Sequence, residues 1–321
     1  MRHFLNIILS VIGGGFLTVT TAVAQPLIQN VNAYESMSLN GEWNYIVDVQ
    51  EEGYYDYRMN PTRWGFFQNA KPQKPEDLIE YDFDKSPTMR IPGDWNTQDE
   101  RLFFYEGTVW FKKSFQAVPM QDVRTLLYFG AVNYDCHVYV NSRHVGHHIG
   151  GFTPFNYDIS DMLKEGENIL IVKVDNKRHA EDVPTQIFDW WNYGGITRDV
   201  KLVKVSPVYL EDYSLQLQKA DAKAKNRDIS FSAKLNKAEA GHTVTVSIPE
   251  LKLKKTLTTD SDGTIHSSLF TLKSCRFGAP RVRNVIVWTS LWIHPPFPTA
   301  SASAPSRPAT NRFCLMVSPS S

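Results

Sequence analysis

The part of this sequence best suited to contact a ligand is residues 188–198, which read FDWWNYGGITR. One carboxylate, Asp189, stands beside Trp190 and Trp191 and leads through Asn192 into a pair of glycines. Sugar rings pack their apolar C–H faces on aromatic planes, and their hydroxyls need a few fixed polar partners. The composition therefore favours a sugar contact. The alternative is a loop whose aromatic side chains plug the edge of a β-sandwich.

The elements around this segment are short strands. Apolar runs at residues 126–130, 137–141 and 168–174 are divided by Gly, Pro, Asn and Asp, and no long stretch keeps a helical period. This pattern predicts an antiparallel β-sandwich of jelly-roll size over residues 25–205. Strands at 229–233 and 244–248 predict a second, partial sandwich of immunoglobulin type over residues 206–273.

The charge and cysteine content exclude several classes of function. Lys plus Arg and Asp plus Glu number 34 each, so no basic field favours nucleic acid or an acidic membrane. Cys136, Cys275 and Cys314 match no zinc-site spacing and build no disulfide framework. His147 and His148 are neighbours in a strand and point to opposite faces, so they do not share an ion. We predict no metal site and no cofactor.

The first residues have the layout of a secretory signal peptide. Arg2 and His3 precede an apolar run over residues 4–19, and Ala22 and Ala24 form a small-x-small site before Gln25. We predict a signal peptide over residues 1–24 and a secreted or periplasmic protein. The run is too short for a membrane anchor and has no basic stop after it.

Residues 274–321 differ in composition from the rest of the chain. They contain five Arg but no Lys, Asp or Glu, and they hold seven of the 18 prolines. The alternative, a natural Pro/Ser linker, is disfavoured because linkers usually carry acids and lysines. We predict a disordered, aberrant tail.

Four segments in order resemble the amino-terminal sugar-binding domain of glycoside hydrolase family 2. They are residues 39–43 (LNGEW), 91–96 (IPGDWN), 105–111 (YEGTVWF) and 192–200 (NYGGITRDV). The resemblance covers about residues 39–273 and implies a jelly roll, an immunoglobulin-like sandwich and then a catalytic (β/α)₈ barrel. Within the family, the NYGGI form is most similar to β-glucuronidases, and β-galactosidases are the second choice.

The resemblance also implies roles for the residues singled out first. Asp189 matches the acid that reaches from the jelly roll into the active site and binds hydroxyls of the sugar. Trp190, Trp191 and Asn192 are expected to shape this loop rather than to touch the sugar. The partners implied are a β-linked carbohydrate and the barrel domain, with a homo-oligomeric full-length enzyme.

The catalytic barrel is expected to be missing from this chain. Only 116 residues follow Val205, whereas a barrel takes about 250. Because the family's two catalytic glutamates lie in the barrel, no Asp or Glu here is assigned as acid/base or nucleophile. We therefore predict an inactive, non-catalytic portion of an exported retaining β-glycosidase. The alternative is a freestanding carbohydrate-binding module, a class that shares the jelly-roll fold.

A shift of reading frame accounts for the aberrant tail. Codons for residues 277–283 and 300–307, read one base earlier, can give WSPESPK and RIGFRTIE, which resemble the family's second domain and the strand before its barrel. A shared offset in the correct order predicts a frameshift between Lys273 and Arg276. Sequencing the gene tests this, since stop codons in the shifted frame would contradict it.

Overall fold

A computed structural model of the chain describes residues 26–54, 58, 60, 82–187, 189–218, 227–248, 253–272, 291–292 and 313–318. The predicted signal peptide lies outside the described residues, as does most of the predicted aberrant tail. No helix within the described ranges has the length and apolar character needed to cross a membrane.

The described residues form mainly β-strands, which confirms the predicted all-β fold. The first strands are β1 (Ser36–Ser38), β2 (Gly41–Asp48), β3 (Thr88–Ile91), β4 (Thr108–Ala117), β5 (Arg124–Phe129), β6 (Asp135–Val140), β7 (Arg143–Ile149), β8 (Phe155–Asp158), β9 (Gly166–Asp175) and β10 (Val200–Val205). The later strands are β11 (Leu210–Leu217), β12 (Arg227–Leu235), β13 (Thr243–Ile248), β14 (Leu253–Thr258), β15 (Thr264–Leu272), β16 (Leu291–Trp292) and β17 (Phe313–Ser318). One α-helix, α1 (Trp95–Gln98), lies in the described ranges, with 3-10 turns at Val31–Ala33, Phe83–Lys85, Glu100–Leu102 and Ser160–Met162.

The first ten strands form two facing antiparallel sheets, as a jelly-roll sandwich requires. The larger sheet has six strands in the order β3-β2-β4-β9-β6-β7, and the smaller has four in the order β1-β10-β5-β8. Side chains alternate between the faces of a strand, so Val109 and Phe111 enter the core between the sheets while Trp110 points the other way. Phe111 and Phe129 are fully buried there, and each contributes about 1.5–3 kcal/mol by leaving water.

The outer face of the six-stranded sheet is also partly covered. Trp110, Tyr139 and Ile171 form a small apolar cluster there with Phe83. The Trp110 indole donates to the fully buried carboxylate of Asp48 at 2.9 Å. This sheet therefore packs on both sides over part of its area.

Strands β11 to β17 build a second pair of sheets, in the orders β11-β12-β15 and β14-β13-β17-β16. Their core holds Phe231, Val244 and Val246, all fully buried. The expected strands at 229–233 and 244–248 are thereby found within β12 and β13.

The structure differs from the prediction of a disordered tail at eight residues. Leu291–Trp292 and Phe313–Ser318 are strands, and β17 pairs antiparallel with β13 from Thr243 to Ser247. The exposed backbone edge of β13 explains this pairing, because its N–H and C=O groups accept any extended segment regardless of side chain.

Candidate functional site

A cleft of about 650 Å³ opens at one end of the first sandwich. Loops between strands line it, and they bring together residues distant in sequence. The lining residues are Gly93, Asp94, Asn133, Tyr134, Gly151, Phe152, Asn176, Lys177, Arg178, Asp182, Pro184, Trp190, Trp191, Asn192, Tyr193, Thr197 and Arg198. A volume of this size accommodates a small-molecule ligand such as a sugar.

The glycine pair of the 189–198 segment docks this loop on α1. A Cβ atom at Gly194 would lie 2.0 Å from the ring of Trp95, so the buried indole requires glycine here. The backbone N–H of Trp95 donates to the Gly194 carbonyl oxygen at 3.0 Å, and the backbone N–H of Gly194 donates to Asn96 Oδ1 at 2.9 Å. Trp95 and Asn96 are thus core and positioning residues of the loop.

Three asparagine amides fix the main chain on the other side of the loop. Asn133 Nδ2 donates to the Tyr193 oxygen at 2.5 Å. Asn176 Nδ2 donates to the Asn192 oxygen at 2.9 Å, and Asn192 Nδ2 returns a bond to the Asn176 oxygen at 2.5 Å. Asn192 therefore holds the loop in place while it also lines the cleft.

Aromatic side chains stand exposed beside the cleft. Trp191 packs against Phe103 and Phe104, with ring centroids 5.1 and 5.5 Å apart, and lies 6.5 Å from Tyr193. These four residues are called the aromatic patch below. Phe104 is 81% exposed, so the patch offers a large apolar surface to a ligand or to another domain. Trp190 is exposed as well and lines the cleft.

Asp189 is exposed at the edge of this region and is not among the residues that line the cleft. Within the described residues its carboxylate has no hydrogen bond or ion pair, so it caps no turn there. The structure brings Trp190, Trp191 and Asn192 into the cleft and leaves Asp189 beside it, with a carboxylate that no other described residue binds.

Cationic side chains face the cleft from two loops. Lys177 Nζ lies 3.1 Å from Glu51 Oε1, and Arg178 Nε lies 3.5 Å from Glu106 Oε1. Arg198 is exposed and donates to the Phe152 oxygen at 3.3 Å. Asp94 and Asp182 also line the cleft, so its rim carries charges of both signs.

Behind Lys177 lie two carboxyl groups, Glu51 and Asp175, whose oxygens are 3.0 and 3.2 Å from the Thr108 hydroxyl. Burial acts to raise the pKa of Glu51, but its hydrogen-bond partners and the charge of Lys173 bring it down to about 2. Burial and the neighbouring Glu51 raise the pKa of Asp175. A retaining glycosidase needs two carboxyl groups on either side of a sugar, whereas these two converge on one hydroxyl.

The histidines separate as predicted, but a cluster that the sequence did not reveal lies across β6 and β7. His148 stacks on Phe155 with centroids 4.0 Å apart, while His147 points to the other face and meets Asp135. His137 joins them there, and burial with the nearby charge of His147 lowers its pKa to about 3.

The match that decides the family covers residues 36–206, more than half of the chain, and the matched model is described as glycosyl hydrolases family 2, sugar binding domain. The chain belongs to glycosyl hydrolases family 2. The resemblance drawn from the four sequence segments is thus confirmed. In the structure these family 2 segments meet, since the Val200 N–H donates to Asn40 Oδ1 at 3.0 Å and the Gly93 N–H donates to the Ile196 oxygen at 2.9 Å.

Curated relatives of this family 2 chain include two kinds of glycosidase. A putative β-glucuronidase of Formosa agariphila is 28% identical over 210 residues, which are 63% of this chain and 24% of that protein. A β-galactosidase of Thermoanaerobacter pseudethanolicus is 28% identical over 212 residues, which are 62% of this chain and 27% of that protein. The chain therefore spans about a quarter of the length of these relatives.

Among solved structures, a β-glucuronidase from an uncultured Clostridium species is similar to the family 2 chain described here. The TM-score is 0.60 at 25% identity, and the match covers 81% of this chain and 42% of that one. The structural similarity therefore extends past the family 2 sugar-binding domain into the second sandwich.

Proposed function

We propose that this chain is the sugar-binding portion of an exported retaining β-glycosidase, most similar to β-glucuronidases and otherwise to β-galactosidases. The observation that carries the proposal is that the family 2 segment around residues 189–198 forms a wall of the cleft. Its exposed carboxylate, aromatic side chains and fixed main chain are the groups that a sugar site needs.

Asp189 in this proposal binds hydroxyl groups of the sugar. Its carboxylate is exposed and makes no hydrogen bond to another described residue, so it is available as an acceptor. A hydrogen bond from a hydroxyl to a carboxylate contributes about 1.5–3 kcal/mol once water is excluded. Because Asp189 lies beside the cleft rather than in its lining, a second surface must enclose the sugar over it.

We assign that second surface to the family's catalytic barrel, which docks on the aromatic patch. The barrel would supply both catalytic carboxyl groups, one as acid/base and one as nucleophile. Because both groups would come from the barrel, the 321 residues alone are inactive in this proposal.

The preference for a β-glucuronide rests on two supports. The NYGGI form of residues 192–196 favours it, and so do the names of relatives such as the one from Formosa agariphila. Export is proposed from the signal-peptide pattern over residues 1–24.

A turnover assay tests the proposal. The purified 321-residue chain is incubated with 4-nitrophenyl β-D-glucuronide and β-D-galactoside, with a complete β-glucuronidase as positive control. We expect release of nitrophenol at the rate of the blank. Turnover above the blank that is lost on heat denaturation would contradict the assignment of catalysis to a separate barrel.

A freestanding carbohydrate-binding module is the second candidate, favoured by the size of a cleft built from one chain. Such a module binds sugar without another domain. The two candidates therefore differ in whether the isolated chain binds free sugar.

A further inference from the structure

The cluster across the β6–β7 hairpin has the composition of a transition-metal site. Asp135 and His137 of β6 and His147 of β7 each place one ligand atom within 4.8 Å of the others. His147 Nε2 lies 2.8 Å from Asp135 Oδ1, and His137 Nε2 lies 3.7 Å from the same oxygen. Ligand atoms around a tetrahedral zinc ion are about 3.4 Å apart, so these separations bracket the required value.

A β-bulge brings the histidines to one face of the sheet. His144 and His147 are three residues apart, and a regular strand would place them on opposite faces. The register shifts between Val138, which pairs with Gly146, and Tyr139, which pairs with His144. The extra residue in β7 re-aims the strand, so that His144 lies beside His137 with Nε2 to Nδ1 at 3.2 Å.

His144 supports the His137 ring through the nitrogen that does not face Asp135. His137 Nδ1 and His144 Nε2 lie 3.2 Å apart, within hydrogen-bond distance. The other ring nitrogen, His137 Nε2, faces the Asp135 carboxylate at 3.7 Å. The nitrogen that a metal ion would use therefore faces the other candidate ligands, while His144 holds the far side of the ring.

We propose that Asp135, His137 and His147 bind a divalent transition-metal ion of the zinc class, with His144 orienting His137. Two imidazoles and one carboxylate with an open side are a familiar ligand set for Zn²⁺. A metal-ligating imidazole usually makes a hydrogen bond through its other nitrogen, which fixes the ring, and His144 is placed to take this role for His137. The ion would tie β6 to β7, the edge strand of the six-stranded sheet.

Two features of the cluster shape the binding. The rings of His137 and His147 are stacked, with centroids 4.1 Å apart and planes 5° apart, so one ring turns about its Cβ–Cγ bond to share an ion. This torsion is broad in histidine. Lys173 pairs in register with His137, but its ammonium lies over the Tyr54 ring, 4.5 Å from the centroid. The positive charge of Lys173 lowers the affinity of the cluster for a metal ion, and the negative charge of Asp135 offsets this effect.

Titration of the metal-stripped 321-residue chain with ZnCl₂ in a calorimeter tests the site. We expect saturable binding of one ion, weakened at least about tenfold in His147→Ala, with a similar loss in His144→Ala. Titration with Co²⁺ should give the visible absorption of a tetrahedral ion, and His147→Ala should remove it.

His148→Ala is the matched control, because it removes the adjacent imidazole that stacks on Phe155 from the other face. It should bind Zn²⁺ as the unaltered chain does. Failure of the folded chain to bind, or equal weakening by His147→Ala and His148→Ala, would overturn the site. Circular dichroism checks folding of each variant, and Asp135→Asn replaces His147→Ala if that variant does not fold.

Discussion

At the scale of single residues, Asn96 ties the loop that carries Asp189 to the rest of the sandwich. The Asn96 side chain is buried, accepts from the Gly194 N–H at 2.9 Å and donates to the Leu102 oxygen at 2.9 Å. Asn96→Ala leaves these buried groups without partners, so we expect the free energy of unfolding to fall by about 1–3 kcal/mol. Denaturant titration measures the change.

Asn32→Ala serves as the control for this prediction. Asn32 is exposed and accepts from Lys201 Nζ at 3.0 Å, so its loss should change stability by less than about 0.5 kcal/mol. If both variants unfold at the same denaturant concentration as the unaltered chain, the role given to Asn96 is wrong.

The lowered pKa of Asp99 makes the free energy of unfolding depend on pH. Hydrogen bonds from Arg101 and then Tyr45 hold its pKa well below the ordinary value of 3.8. A lowered pKa stabilises the fold above pH 3.8, and this contribution is lost as the pH falls from there through the folded-state pKa. Asp99→Asn should cost about 1 kcal/mol near neutral pH, because the Arg101 side chain of this ion pair is 77% exposed and solvent screens the interaction.

The cost of Asp99→Asn should shrink when unfolding is measured at acidic pH. The unaltered Asp99 then becomes protonated and loses the same interaction. A difference between the two proteins that stays constant from neutral pH to well below pH 3.8 would show that the charge of Asp99 is irrelevant to stability.

Composition predicted some residues of the site and could not predict others. Residues 188–198 stand out because aromatic side chains and one acid lie together in the chain. Asn133 and Asn176 were missed, since they bond to main-chain atoms 60 and 16 residues away and leave no local pattern. The position of Asp189 outside the cleft lining also depends on how the loop folds.

At the scale of elements, the β6–β7 hairpin depends on Gly146. A Cβ atom at this position would lie 2.2 Å from the ring of Tyr157, so the bulge has no room for a side chain. We expect Gly146→Ala to lower the free energy of unfolding by about 1–3 kcal/mol through overpacking. Thermal and denaturant unfolding measure it.

The double variant Gly146→Ala/Tyr157→Ala tests the cause. Removing the ring creates room for the added methyl group, so the double variant should be more stable than the sum of the two single changes predicts. Strict additivity would mean that contact with Tyr157 is not the source of the cost.

Apolar runs predicted the central strands because those strands are buried on at least one face. The expected runs at 126–130, 137–141 and 168–174 lie within or beside β5, β6 and β9. β1 (Ser36–Ser38) was not predicted, since all three of its residues are exposed and backbone pairing with β10 alone makes it a strand. The bulge in β7 could not be predicted from the sequence either, because only the pairing register of β6 and β7 defines it.

At the scale of the whole molecule, the aromatic patch leaves a large apolar surface in water. We expect the isolated chain to self-associate, because Phe103, Phe104 and Trp191 form a continuous exposed cluster. Phe104→Ser should shift the chain towards monomer in sedimentation velocity. Val118→Ser, at an exposed site outside the patch, should leave the distribution unchanged. A monomeric unaltered chain would contradict the proposal that the aromatic patch is a docking surface.

The family could be predicted from sequence because four of its segments stand in order along the chain, and the structure joins three of them through the Asn40–Val200 and Gly93–Ile196 hydrogen bonds. The shifted frame of the tail was predicted from two family-like segments and the signal peptide from the order of its regions, and both lie mostly outside the described residues.

In our proposal, Asp189 belongs to a sugar site that another domain completes. Calorimetric titration of the 321-residue chain with D-glucuronate and with D-galactose tests it most directly, with Asp189→Ala as the companion variant. The account predicts no saturable heat of binding for either sugar with either protein. Millimolar or tighter binding, about −4 kcal/mol or better, that disappears in Asp189→Ala would contradict it and identify a self-sufficient carbohydrate-binding module.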